Sequence, residues 1–220
     1  IGPTADNLAA VGDKLTARGH ALAAGVPLVP GGNATTLSEA VAVAAEVGYP
    51  LLIKAVSGGG GKGMKRVNGP QDLAAQLDLA MSEAAAAFGD ARVYLERYVT
   101  SGRHIEVQIL SDGDTVVHAG ERDCSVQRRY QKVVEEAPAP GLPPTLRAGL
   151  LQAATAFARH IGYRSLGTVE FMVDVERAAF YFLEMNARIQ VEHPVTEAIT
   201  GLDLVATQIA IAEGRPLGLR

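Results

Sequence analysis

Residues 182–192 read Phe-Leu-Glu-Met-Asn-Ala-Arg-Ile-Gln-Val-Glu, and no other segment restricts the fold as tightly. Leu183, Met185, Ala187, Ile189 and Val191 are apolar, while Glu184, Asn186, Arg188, Gln190 and Glu192 carry hydrogen-bonding or ion-binding groups. Side chains alternate faces along a β-strand. An extended run here therefore packs an apolar row into a core and presents the polar groups together on the other face. That polar row is about 26 Å long from Glu184 to Glu192. Carboxylate, amide and guanidinium groups in one row suit a metal cation and a small anion held side by side. A solvated face of an antiparallel sheet has the same pattern, and the chemistry of this run alone leaves the two readings level.

The rest of the chain places the run in an α+β arrangement. Leu8, Val11 and Leu15 have helical spacing, so residues 5–24 are expected to form a helix ending near Gly25. Residues 26–32, with Pro27, Pro30, Gly31 and Gly32, read as a stiff connector. Thr36 and Glu39 form a capping-box pattern ahead of an Ala/Val helix that stops at Gly48. Strands follow at 51–55, 64–67 and 93–98, with a helix over 71–88 behind Pro70. From His104 the residues alternate as a half-buried strand with Ile105, Val107 and Ile109 inward. Asp112-Gly113 signals a hairpin, with a return strand over 115–120. Residues 121–142 read as a functional loop, 145–161 and 202–213 as helices, and 167–173 and 179–192 as strands. The expected division is a helix over 1–26, a small lobe over 27–98 and a sheet lobe over 99–220.

Composition excludes some classes. A net charge of −4 argues against nucleic acid as the main partner, since neutralising phosphates needs a basic surface. The lone Cys124 allows no internal disulfide and fits a reducing compartment. No apolar run reaches membrane-spanning length. The chain opens on Ile1-Gly2-Pro3 rather than Met, and is expected to be a piece of something longer.

Three groups carry chemistry. The loop Gly58-Gly59-Gly60-Gly61-Lys62-Gly63 has the backbone freedom to wrap an anion with N–H groups. Lys54 and Lys62 at its edges favour a phosphate over a plain flexible hairpin. It fits neither Walker A, because Gly63 follows Lys62, nor a dinucleotide fold, because it joins two strands. Glu170, Glu184 and Asn186 offer hard oxygen ligands of the kind that take Mg²⁺ or Mn²⁺. Gln127-Arg128-Arg129-Tyr130-Gln131-Lys132 is by default a solvated turn, with phosphate or oxyanion neutralisation as the functional alternative.

Several stretches together resemble the ATP-grasp portion of biotin carboxylase. They are Gly12-Asp13-Lys14, Ile53-Lys54-Ala55, the loop at 58–63, the stretch from Glu121 to Arg129, the stretch from Gln131 to Pro140, and Glu184-Met-Asn-Ala-Arg-Ile-Gln-Val-Glu-His-Pro-Val-Thr-Glu197. The last two are highly specific, because other ATP-grasp ligases share Glu-x-Asn without the Arg-x-Gln-x-Glu-His-Pro continuation. The resemblance implies ATP, Mg²⁺ or Mn²⁺, bicarbonate and biotin on a carrier domain. It implies a carboxyltransferase domain or subunit as downstream partner, a homo-oligomeric parent, and the cytoplasm or the mitochondrial matrix. No nucleic acid or membrane is expected.

The resemblance also implies roles. Lys14 and Lys54 contact ATP phosphates under a lid carrying Gly59, Gly60, Gly61 and Gly63. Glu96 to Val99 form the hinge strand whose backbone reads adenine. His104 and Gln127 lie by the ribose, and Gln131 counts with the nucleotide contacts. Glu170 and Glu184 hold metal with Asn186 close by. Lys132, Arg188, Gln190, the Val191 backbone and Glu192 hold bicarbonate, with Glu192 as general base. Tyr130 stands where relatives often carry His, and Arg97 where Lys is frequent. An N-terminal α/β domain and the distal half of the C-terminal domain are expected outside this chain. The rival readings are a non-catalytic or repurposed ATP-grasp nucleotide module, and another carboxyphosphate-forming ligase of the carbamoyl-phosphate type. Cys124 is expected to be a small buried group, His20, His118 and His160 surface or satisfied histidines, and His193 a turn residue.

Overall fold

A computed structural model describes residues 1–57, 64–129 and 131–218. They fall into two compact units, Val29–Thr100 with Arg129–Gln131, and the remainder.

The chain begins with α1 (Ala5–Gly12) and α2 (Lys14–Ala23), where one helix was expected. The break has a local cause. Asp13 is extended, and its side chain accepts the Thr16 amide at 2.8 Å, which starts a new helix rather than continuing the old one.

The smaller unit holds β1 (Gly31–Ala34), α3 (Leu37–Val47), β2 (Leu51–Ala55), β3 (Lys65–Val67), α4 (Pro70–Phe88) and β4 (Val93–Arg97). Its strands make a sheet in the order β1-β4-β2-β3. The Thr36–Glu39 capping box is formed and α3 ends on Gly48. β1 lies where a connector was expected. Gly31 pairs with Glu96, and a Cβ there would overlap the Leu95 carbonyl oxygen and the Tyr94 ring, so glycine is what lets this strand approach. Leu51, Ile53, Val67, Leu73, Leu77 and Leu95 form the core of this unit. The glycine-loop residues Gly58–Gly63 lie outside the described residues, as does Tyr130.

The larger unit continues with β5 (Gly102–Asp112), β6 (Val116–Arg128), β7 (Gln131–Glu136), α5 (Pro144–His160), β8 (Arg164–Asp174), β9 (Ala179–Asn186), α6 (His193–Thr200) and α7 (Leu204–Ala212). The strands form one antiparallel sheet in the order β7-β6-β5-β8-β9. The stretch over 121–136 is thus mostly strand, not loop: β6 pairs with β5 as far as Asp123 and runs on to Arg128. One face of the sheet packs Ile105, Val107, Val169, Phe171 and Phe182 against Leu150, Ala154 and Phe157 of α5. Phe157 and Phe182 meet at 4.8 Å between ring centroids, and each fully buried side chain of this size contributes about 1.5–3 kcal/mol.

The strand expected to reach residue 192 stops at Asn186, whose partner is Thr168. Alternation fails beyond it, with Gln190 5% exposed and Val191 91% exposed. His193, expected in a turn, is the first residue of α6, with Pro194 in its opening turn. Among the described residues no single helix is long and apolar enough to cross a membrane; α6 and α7 pass that test only as a pair bent by 100°.

Candidate functional site

Strand register builds a row of charge on the face of the larger sheet opposite α5. Arg122 on β6 is the partner of Glu106 on β5, Glu106 is the partner of Glu170 on β8, and Glu170 is the partner of Glu184 on β9. Paired residues share a face, so one guanidinium and three carboxylates line up across four strands. The row is deeply set: Arg122 and Glu106 are fully buried and Glu170 nearly so. Burying charge is tolerated only when it is paired and hydrogen-bonded. Among the described residues no buried side-chain nitrogen or oxygen lacks a partner.

Lys132 on β7 supplies the second cation. Its ammonium donates to Glu106, to Glu170 Oε1 at 2.9 Å and to Glu192 Oε1 at 2.7 Å. Burial alone would lower the Lys132 pKa, but the Glu170 and Glu106 carboxylates outweigh it and raise it above the ordinary value. Arg128 and Arg129, in the same basic stretch, are exposed. Arg128 and Arg129 thus face solvent, while Gln127 and Lys132 are turned into the site.

Glu170 collects the most partners. Oε2 faces His104 Nε2 at 2.7 Å, and Oε1 accepts from Lys132, from Asn186 Nδ2 at 2.8 Å and from Gln190 Nε2 at 3.2 Å. Burial would push its pKa up; the His104 hydrogen bond and the Lys132 ammonium prevail and hold it at about 2. The His104 tautomer follows from its neighbour. Gln127 Nε2 donates to the Cys124 carbonyl at 2.8 Å, which fixes the amide orientation, and also lies 2.8 Å from His104 Nδ1. Nδ1 is thus an acceptor, leaving Nε2–H to donate to Glu170.

Glu192 closes the site as the residue that precedes α6. Burial would raise its pKa, while the hydrogen bond from Lys132 lowers it, and the balance lies below the usual carboxylate range. Arg188 is exposed, with its guanidinium on Asn186 Oδ1 at 3.2 Å and on the Ile189 carbonyl.

The structure thus brings His104, Gln127, Lys132, Glu170, Asn186, Arg188, Gln190 and Glu192 into one hydrogen-bonded cluster, with Glu184 joined through strand register. Val191 is exposed beside them. Lys14 opens α2. In the smaller unit, Lys54 pairs with the buried Glu96, Val99 follows β4, and Gln131 is exposed. Gly59, Gly60, Gly61 and Gly63 lie outside the described residues. Two central residues were not singled out from sequence, Glu106 and Arg122. The signal for the first was present: His104, Glu106 and Gln108 are the polar positions of the alternating β5.

The oxygen donors fit a hard divalent cation. The Glu184 side chain makes no hydrogen bond or ion pair among the described residues, and it stands beside Glu170 on one face. His104, Glu106 and Glu170 also converge tightly, but the Lys132 ammonium and the Arg122 guanidinium already occupy both Glu106 oxygens. That trio is an ion-pair hub, and both Glu170 oxygens are hydrogen-bonded as well, which leaves Glu184 as the carboxylate of this row whose side chain has no partner among the described residues. Cys124 is fully buried and its thiol is pushed up by burial, which suits a packing group and not a ligand.

Comparison with known proteins agrees with the geometry. Residues 13–220 match the family described as carbamoyl-phosphate synthase L chain, ATP binding domain. Biotin carboxylase 2, chloroplastic, of Populus trichocarpa is 54% identical over 99% of this chain and 42% of its own length. The biotin carboxylase of Campylobacter jejuni, solved as a β,γ-ATP complex, superposes with a TM-score of 0.94 at 44% identity, over 99% of this chain and 49% of that one. The biotin carboxylase domain of Hydrogenobacter thermophilus 2-oxoglutarate carboxylase, a dimer holding MgADP and bicarbonate, gives 0.92 at 46% identity, over 99% and 49%. The resemblance drawn from the motifs, and the ATP-grasp fold with it, are borne out. The chain spans less than half the length of these relatives.

Proposed function

The chain belongs to the family of the carbamoyl-phosphate synthase L chain ATP-binding domain, and on that premise we propose that it is the core that handles nucleotide and bicarbonate in an ATP-dependent biotin carboxylase. One observation carries the reading: the Lys132 ammonium bridges Glu170, on the metal side, and Glu192, on the proton-accepting side.

The chain's own groups divide the work. Lys132, Arg188 and the Gln190 amide are the cationic and N–H groups that suit a small planar anion. Lys14 and Lys54 are assigned to the triphosphate, His104, Gln127 and Gln131 to the nucleotide, and the backbone of Glu96 to Val99 to adenine. Glu170, Glu184 and Asn186 are the residues that would hold Mg²⁺ or Mn²⁺, which when bound screens the approach of one anion to another. A bicarbonate oxygen attacks the γ-phosphorus and ADP leaves, giving carboxyphosphate; this splits to phosphate and CO₂, and CO₂ adds at biotin N1′ as the released phosphate takes the N1′ proton.

Glu192 is the general base for bicarbonate. Its ion pair with Lys132 keeps it a carboxylate and a weak base in the free site. An anion competing for the same ammonium loosens that pair and raises the affinity of Glu192 for a proton at the moment it is needed. Biotin arrives on a carrier domain, a carboxyltransferase domain or subunit consumes the product, and the parent is a homo-oligomer in the cytoplasm or mitochondrial matrix.

The protein at its full native length tests this with Mg-ATP, labelled bicarbonate and free biotin. ATP cleavage stimulated by bicarbonate and labelled carboxybiotin are the expected results. ATP cleavage indifferent to bicarbonate would overturn the reading.

A further inference from the structure

Among the described residues Arg122 is the largest fully buried side chain, and the roles above do not use it. Its guanidinium has five acceptors drawn from four parts of the larger unit. Nε donates to Glu106 Oε1 at 2.5 Å, Nη1 to Gln108 Oε1 at 2.9 Å and to Thr196 Oγ1 at 2.7 Å, and Nη2 to Gln190 Oε1 at 3.3 Å and Thr168 Oγ1 at 3.4 Å. Packing alone would not need this set. One charge is balanced by one carboxylate, yet the fork also reaches the segment before α6 and α6 itself.

We propose that Arg122 is the positioning residue of the bicarbonate face: it fixes which end of the Gln190 amide faces the site and where Lys132 and Glu192 stand. The inference rests on the assignment of Lys132, Gln190 and Glu192 to bicarbonate.

The mechanism has three links. Arg122 donates to Gln190 Oε1, so the Gln190 NH₂ must point the other way, toward Glu170 Oε1 at 3.2 Å. An anion there meets donors. Without Arg122 the amide can rotate and present its oxygen, which repels an anion. Next, Arg122 takes one oxygen of Glu106 and leaves the other for Lys132, so the hub holds the ammonium in place. Last, Thr196 lies in α6, four residues beyond Glu192, which precedes that helix, so the Arg122–Thr196 bond ties the helix carrying the proton acceptor to the sheet. Only the planar fork of arginine spans these acceptors; a lysine ammonium keeps the charge and loses the span.

The test uses the protein at its full native length. Arg122→Lys is compared with Gln190→Ala, which removes the amide itself, by measuring KM for bicarbonate, KM for ATP, kcat for bicarbonate-dependent ATP cleavage, and thermal midpoint. Both variants are expected to raise the bicarbonate KM about tenfold and leave the ATP KM within about twofold. If Gln190→Ala raises it and folded Arg122→Lys does not, the proposal is overturned while the bicarbonate assignment stands. If neither raises it, the assignment fails and takes the proposal with it. A lowered midpoint with both KM values unchanged, or both raised alike, marks Arg122 as structural and also overturns the proposal. Should Arg122→Lys not fold, Thr196→Val decides: a rise of about two- to threefold in bicarbonate KM alone supports the proposal, and no rise overturns it.

Discussion

Glu170 and Glu184 stand directly opposite each other across β8 and β9. Two like charges in that relation destabilise an antiparallel pair by some tenths of a kcal/mol, up to about 1. The cost is met on one side only. Glu170 is held by Lys132 and His104, while Glu184 takes no partner among the described residues. A cation between them is the arrangement that turns this repulsion into binding.

Glu184→Gln therefore separates stability from metal use. Removing the charge relieves the opposition, so the thermal midpoint is expected to hold or rise slightly, by no more than the equivalent of about 1 kcal/mol. The Mg²⁺ concentration for half-maximal nucleotide cleavage is expected to rise about tenfold or more, because a hard anionic ligand has become a neutral amide. A Mg²⁺ titration of ATP cleavage checks this, and an unchanged half-saturation point would remove Glu184 from the metal site.

Away from that face, Asp123 gives the larger unit an acid-sensitive contact. It is largely buried and binds Arg103 through Nε at 3.0 Å and also the Ser125 hydroxyl and amide. Burial would raise its pKa, but the Ser125 and Arg103 hydrogen bonds prevail and lower it. The folded pKa is below the unfolded one, so the stabilisation is complete above the unfolded value of about 3.9, shrinks as pH falls below it, and is gone below the folded value. Asp123→Asn is expected to cost about 1–3 kcal/mol at neutral pH. Denaturant unfolding should show the gap between wild type and variant unchanged from pH 7 to about pH 5 and closing below about pH 4.

The parts of the fold that local chemistry dictates were legible in the sequence. The capping box at Thr36–Glu39, the stop at Gly48, the strand Leu51–Ala55 and the helix start at Pro70 are where their residues place them. The misreadings share a cause. Alternation from residue 182 to 192 reports which side chains are apolar, not which backbone has a strand partner, and β9 loses its partner after Asn186. Gln190 then sits under Arg122, a contact between residues 68 apart that no local pattern announces. The two glycines of β1 looked like a connector because the Leu95 carbonyl and Tyr94 ring that demand Gly31 arrive from β4. In the site, the motif residues were legible and their hub was not. Glu106 stands out as an acid inside an apolar strand, but its two cations come from β6 and β7.

Cys124 lies on β6, two residues from Arg122, and is fully buried. Burial pushes its thiol up, and the negative Glu106 nearby adds to this. A thiol kept protonated and out of reach does not react as a nucleophile. Labelling by a thiol reagent in native buffer is expected to proceed at the rate of unfolding, and to become complete and rapid in denaturant. Fast stoichiometric labelling of the native protein would show that this part of β6 opens without global unfolding.

Glu192 and Lys132 are 2.7 Å apart. The proposed role of Glu192 as general base for bicarbonate puts its effect in the chemical step and not on the nucleotide. Glu192→Gln keeps the shape and still offers Lys132 an oxygen, so the fold and ATP binding are expected to be retained. The kcat for bicarbonate-dependent ATP cleavage is expected to fall by about 10²–10⁴, the usual contribution of a positioned base, with ATP affinity within about twofold of wild type. Steady-state kinetics at saturating bicarbonate, together with a direct ATP-analogue binding titration, separates the two quantities. If turnover survives and ATP affinity falls instead, Glu192 belongs to the nucleotide pocket, and Lys132 pairs with it for structure alone.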